Sequence, residues 1–312
     1  FVWIVVFMSF SKVSDSEWIL NGGAVLKVLV AVSVGVLGIW YACANGFAGS
    51  MAPETFLPDL TNTAALGYLS IIIFNFTGFE VICTFAKDMQ NPARDIPKAI
   101  ILGGLAIGAI YLFCGFGIGA AIPADQIDPD FGMLYAVITM VGETSPIFII
   151  IAVVFLITLF ANMASWSFGV NAVAQYAAKN QNMPKVFAHE NPKTGMPTGA
   201  AIVNGIVATA VLLIQLIPNE AISDGLFWTL FATSVVFLLL TYIPMFPAFI
   251  KLRKVDANRP RVYRFPFQGT AMKVILAIPV IELVLAVVAT LVPFSAEEVA
   301  DKVPMIAIFI IF

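Results

Sequence analysis

Asn75, Thr77, Gly78 and Glu80 stand close together inside the apolar stretch IIIFNFTGFEVICTFAKD. An amide, a hydroxyl, a glycine and a carboxylate at such spacing could handle a small polar solute. A glycine flanked by small polar and β-branched residues weakens a helix. A carboxylate at membrane depth costs roughly 2.5–3.5 kcal/mol on insertion scales, so it is tolerated mainly where it faces a cavity or a partner. A helix that breaks at mid-membrane frees backbone groups and half-helix dipoles, and transport proteins bind their cargo with these. A buried glutamate bonded to a neighbouring helix accounts for the same residues without any transport role.

Few other charged groups lie inside apolar runs. Lys27 follows Ile19 by about 8 residues, or about 12 Å of helical rise, with Asn21 upstream. It either sits within the span or snorkels to the nearer surface. Burial perturbs the proton equilibrium of a carboxylate or an ammonium, so Glu80 and Lys27 are the candidates for proton coupling. Tyr242, in LLLTYIPMFP, could line an inner path, although Pro244 and Pro247 explain that local pattern equally well as a kink. Glu282, in AIPVIELVLA, reads as a structural residue or a contact between copies.

Enzyme chemistry has little to work with. The cysteines Cys43, Cys83 and Cys114 are far apart, no CxxC occurs, and the single histidine, His189, has no ligand partners nearby in sequence. Phosphate-binding GxxxxGK[ST], HExxH and GxSxG patterns are missing from the sequence. The expectation is a protein that is not an enzyme, with no cofactor, no metal and no nucleic-acid partner.

The elements that must position these residues follow from composition. Of 312 residues, 60% are hydrophobic and 11% charged, against roughly 45–50% and about 25% in soluble domains. The excess is gathered into continuous runs, which favours transmembrane helices over an alternating barrel pattern. Complete spans are expected at about 19–44, 64–86, 97–122, 146–178, 198–217, 226–250 and 271–293, with partial ones at 1–10 and 304–312. The stretch 132–142 is too short to cross and reads as a surface helix. Both ends of the chain fall inside apolar runs, as in a chain truncated at each end. The whole of 1–312 is expected to form a single transmembrane transporter domain in a lipid bilayer.

Basic residues set the orientation. With the loop 87–98 cytoplasmic, 14 of the 16 Lys and Arg residues fall on that side, including Lys87, Arg94, Lys179, Lys185, Lys251, Arg264 and Lys273. The opposite loops carry acidic residues such as Asp59, Asp128, Asp130 and Glu297.

FNFTGFE followed by KDMQNPARDIPKAI (87–100) resembles the sixth helix and following loop of permeases in the amino acid–polyamine–organocation superfamily. The matching residues are Phe74, Gly78, Glu80, Asn91, Pro92, Arg94, Pro97 and Ala99. WSFGVNAVAQYAAKNQNMPKVFAHENPKTGMPTGA (166–200) resembles the eighth helix and its loop, and NRPRVYRFPF (258–267) the basic loop after the tenth. Within the superfamily the chain looks nearest to glutamate/GABA-antiporter-like members. The resemblance implies an all-α, polytopic helical bundle of the LeuT type, with five-plus-five inverted repeats, covered here from the end of helix 4 to the start of helix 12. It implies secondary active transport of amino acids by alternating access, as an antiporter or proton symporter, in the bacterial cytoplasmic membrane; a channel or receptor is the competing class. It makes Phe74 a gating aromatic, although it could equally be an ordinary core phenylalanine. Asn75, Thr77 and Gly78 become substrate contacts. Trp166 becomes an aromatic near the substrate path, although an interfacial anchor fits its position as well. Lys27 matches a fifth-helix lysine that takes the place of a coupling sodium.

Overall fold

In a bilayer the backbone amides of a spanning segment must be paired within the protein, and helices do this locally. The structure, a computed structural model, describes residues 1–56, 69–127, 132–217, 220–259, 261, 265–293 and 298–311. Residues 64–68, Arg264, Asp59, Asp128, Asp130 and Glu297 lie outside the described residues, and of Glu80 only the backbone is described.

The helices in chain order are α1 (Val2–Met8), α2 (Glu17–Asn45), α3 (Leu69–Phe74), α4 (Pro92–Ala121), α5 (Gly132–Val141), α6 (Pro146–Lys179), α7 (Thr198–Leu213), α8 (Glu220–Tyr242), α9 (Met245–Val255), α10 (Gly269–Leu291) and α11 (Glu298–Ile311). Among the described residues five stretches are long and apolar enough to cross a membrane: Val13–Asn45, Pro92–Ala121, Pro146–Lys179, Gly225–Val255 and Gly269–Leu291.

Four expected spans differ in detail. The stretch 64–86 is not one helix: α3 ends at Phe74 and a 3-10 stretch runs over Phe79–Asp88. The span 198–217 holds a helix of 16 residues followed by a 3-10 turn at Ile214–Leu216, shorter than the roughly 20 residues of a full crossing. The span 226–250 is divided at Ile243 and Pro244 into α8 and α9, because proline has no N–H to continue the ladder. Helix α4 begins five residues earlier than the expected 97, with Pro92 at its first position, where a missing N–H costs nothing.

The chain divides into two compact units, Phe1–Leu57 with Val81–Thr209, and Pro58–Glu80 with Ala210–Phe312. In the first, α2 packs against α4 and α6, with α5 alongside and α1 against α6. Val30, Val34, Val137 and Ile151 form its buried core. Glycines set the spacing of α2 and α4. A Cβ on Gly38 would collide with the backbone of Gly117, and one on Gly117 with the backbone of Gly35. In lipid, where apolar burial gains little, such close backbone approach is a main source of helix association. In the second unit α8 is the centre, and α3, α10 and α11 pack on it. Its core joins Val235, Val236 and Leu239 to Leu283, Ala286 and Val287.

Candidate functional site

In the second unit the site begins where α3 stops. The Phe74 carbonyl accepts from the Thr77 amide at 3.0 Å and from the Thr77 hydroxyl at 2.7 Å. A side chain competing for a backbone carbonyl in this way favours a turn over a continuing helix. Gly78 then takes φ +96°, in the region that side chains resist. Its amide donates to the Tyr242 hydroxyl at 2.9 Å. A backbone donor released by the break thus meets an acceptor at the far end of α8, 164 residues away. Tyr242, read from sequence as a path-lining residue, is placed here as the residue that holds the break.

Phe74 is half-buried and packs on the core of this unit. Its ring stands edge-on to Phe231 at 6.1 Å, and Phe231 edge-on to Trp228 at 5.7 Å. The two sequence readings of Phe74, gate and core, are therefore not exclusive. Phe231 and Trp228 escaped the sequence reading, since nothing distinguished them from other aromatics of α8. Asn75 is exposed directly after α3. Glu80 is the second residue of the 3-10 stretch, which places its backbone two residues beyond the positive-φ glycine.

The other candidates lie in the first unit. Lys27 Nζ donates to Asn162 Oδ1 on α6 at 2.7 Å, and Lys27 remains exposed. Trp18 and Trp40, both exposed, stand toward the two ends of α2. They are 22 residues apart, about 33 Å by helical rise, close to the thickness of a hydrocarbon core. Lys27 is 9 residues beyond Trp18, about 13 Å inside that belt. Asn162 gives the ammonium a partner on the neighbouring helix. Asn162 was not singled out from sequence, because a lone amide in an apolar run does not reveal which neighbour it serves.

Trp166 follows Asn162 by one helical turn and is 38% exposed, so it is not locked in a core. Of the two serines beside it, Ser165 is exposed, while Ser167 joins a part-buried polar chain. Ser9 Oγ lies 3.0 Å from Ser167 Oγ, Asn171 Nδ2 donates to Ser167 Oγ at 3.1 Å, and Asn204 Nδ2 donates to Asn171 Oδ1 at 2.6 Å. The chain ties α1, α6 and α7 together around Asn171, which is fully buried. Glu282 is exposed midway along α10. Groups of three or more potential metal-binding side chains do not occur among the described residues.

All of residues 1–312 match a family model described as amino acid permease. The chain is 43% identical to a Lactococcus lactis protein named "probable agmatine/putrescine antiporter", over 100% of its own length and 67% of that protein. It is 22% identical to the glutamate/gamma-aminobutyrate antiporter of the same organism, over 93% of this chain and 59% of the relative. Cationic amino acid transporter 4, vacuolar, of Arabidopsis thaliana is 23% identical over 70% of this chain and 36% of its own length. The chain therefore spans about two thirds or less of these relatives. Identity is higher to the agmatine/putrescine antiporter than to the glutamate antiporter, which refines the subgroup resemblance. The apolar helices and bacterial relatives make this an all-α, polytopic integral membrane protein of the bacterial cytoplasmic membrane.

Proposed function

We propose secondary active transport by alternating access as the function of this chain, which belongs to the amino acid permease family. The observation that carries the reading is the broken segment 74–78, whose released Gly78 amide is held by Tyr242. An aromatic at the break suits a solute with an ammonium group, because rings attract cations, and Glu80 adds a negative charge two residues after Gly78 in sequence. We place Phe74, Asn75, Thr77, Gly78, Trp166 and Tyr242 on the transport path of one transporter domain, with the five-plus-five repeat of the resemblance. The channel or receptor reading draws no support from the relatives, and transport rather than covalent chemistry is the activity proposed.

The 43% identical relative is named for agmatine and putrescine, so exchange of cationic amines is the first activity to test. The full gene product in proteoliposomes loaded with putrescine is expected to take up labelled agmatine saturably, and empty vesicles are expected to take up little. Equal uptake into empty vesicles would remove the antiport reading. Proton coupling through Glu80 and Lys27 predicts that Glu80→Gln and Lys27→Gln each flatten the dependence of exchange on pH at equal reconstituted protein. Unchanged profiles would leave both residues outside proton coupling.

A further inference from the structure

The segment 251–273 carries seven Lys and Arg residues and one acid, Asp256. It joins the stretches Gly225–Val255 and Gly269–Leu291, both long enough to cross a membrane, so it lies at a membrane surface. Positive-inside bias explains why basic residues occur here. It does not explain their arrangement.

Some of these cations are committed to the fold. Arg261 donates to the carbonyls of Leu252 at 3.1 Å and Asp256 at 2.7 Å, which closes the C-terminus of α9. The Arg253 guanidinium carbon sits 4.2 Å from the centre of the Phe249 ring. Phe249 meets Phe265 at 5.9 Å and Phe265 meets Phe267 at 5.7 Å, so the chain entering α10 folds back on α9. Arg259 reaches Asp256 at 3.5 Å.

Among the described residues Lys251, Lys254 and Lys273 remain, Arg264 lying outside them. All three are exposed and make no ion pair among the described residues. Exposed apolar side chains stand beside them: Leu252 at 59%, Val255 at 76% and Val274 at 58%. A surface meant for water, or for a soluble anion, has no use for that apolar rim. A lipid does, because its acyl chains meet apolar residues while its phosphate meets cations at the same depth.

We propose that the junction of α9 and α10 binds an anionic phospholipid, with Lys251, Lys254 and Lys273 contacting the headgroup and Leu252, Val255 and Val274 the upper acyl chains. Arg253 and Arg261 position the site by fixing the turn. The proposal does not rest on the transport reading.

The test uses the delipidated intact protein in a neutral detergent, titrated with phosphatidylglycerol or phosphatidylcholine and read by native mass spectrometry of bound lipid. The wild type is expected to retain phosphatidylglycerol over phosphatidylcholine, less so at high salt. Each lysine contributes about fivefold, so the triple change Lys251→Gln, Lys254→Gln and Lys273→Gln is expected to weaken phosphatidylglycerol binding about a hundredfold. The triple change to Arg is expected to retain it. Changing Lys185 and Lys193 to Gln, in another loop on the same side by the basic-residue rule, is expected to leave it unaltered. Equal retention by the triple Gln variant would overturn the proposal. So would displacement of the lipid by inorganic phosphate at matched concentration, which would indicate a site for a free anion.

Discussion

At the scale of single residues, the site depends on backbone groups that a broken helix releases and on the side chains that take them. The Tyr242 hydroxyl accepts from Gly78. Tyr242→Phe keeps the ring and removes that acceptor, at about 1–3 kcal/mol for an amide left unpaired away from water. The expected result is faster hydrogen exchange at the Gly78 amide and a slower substrate exchange rate at equal reconstituted protein. Gly78 has φ +96°, so Gly78→Ala is expected to cost about 1–2 kcal/mol of backbone strain, visible as a lower Tm in detergent. Lys27 and Asn162 form the other pair. Asn162→Leu strands the ammonium, whereas Lys27→Met with Asn162→Leu removes both polar groups. The double variant is therefore expected to melt above the Asn162→Leu variant. Additive losses in that cycle would show that the two side chains do not interact.

Elements in the first unit are held together by contacts at which no side chain fits. Gly115 and Gly117 are neighbours on α4 with opposite surroundings. Nothing lies within 4 Å of a Cβ on Gly115, whereas one on Gly117 meets the backbone of Gly35. Gly115→Ala is expected to be neutral or to stabilise by up to about 1 kcal/mol, through helix propensity. Gly117→Ala must push α4 away from α2 and is expected to destabilise by about 1–3 kcal/mol. Thermal unfolding of the two variants side by side checks this, and equal melting temperatures would count against close packing of α2 and α4. The chain Ser9, Ser167, Asn171 and Asn204 does similar work for α1, α6 and α7. Its hydrogen bonds fix how these helices meet, where apolar contact alone would leave rotation free.

For the whole molecule, orientation is the first matter to test. In a background lacking Cys43, Cys83 and Cys114, a cysteine at Gln126 is expected to react with an impermeant reagent on intact cells, and one at Lys185 to be protected; the reverse would invert the topology. That expectation needs only the sequence, because the asymmetry of Lys and Arg is a one-dimensional property. Helix content is similarly legible, since runs of apolar residues in a bilayer have few ways to pair their amides. The weak point after Phe74 is legible too: Thr77 and Gly78 disfavour a continuous helix by local chemistry, whatever surrounds them. The division of α8 from α9 at Pro244 was visible as a kink but not as a stop. Tertiary structure alone decided which partners answer the exposed groups. Lys27 finds Asn162 135 residues away, and Gly78 finds Tyr242 164 residues away. The glycine contact between α2 and α4 was equally hidden, because Gly115 and Gly117 look alike in sequence and differ only in what stands opposite them. Local propensity is written in neighbouring residues, whereas pairing across helices depends on rotation and register that no single helix carries.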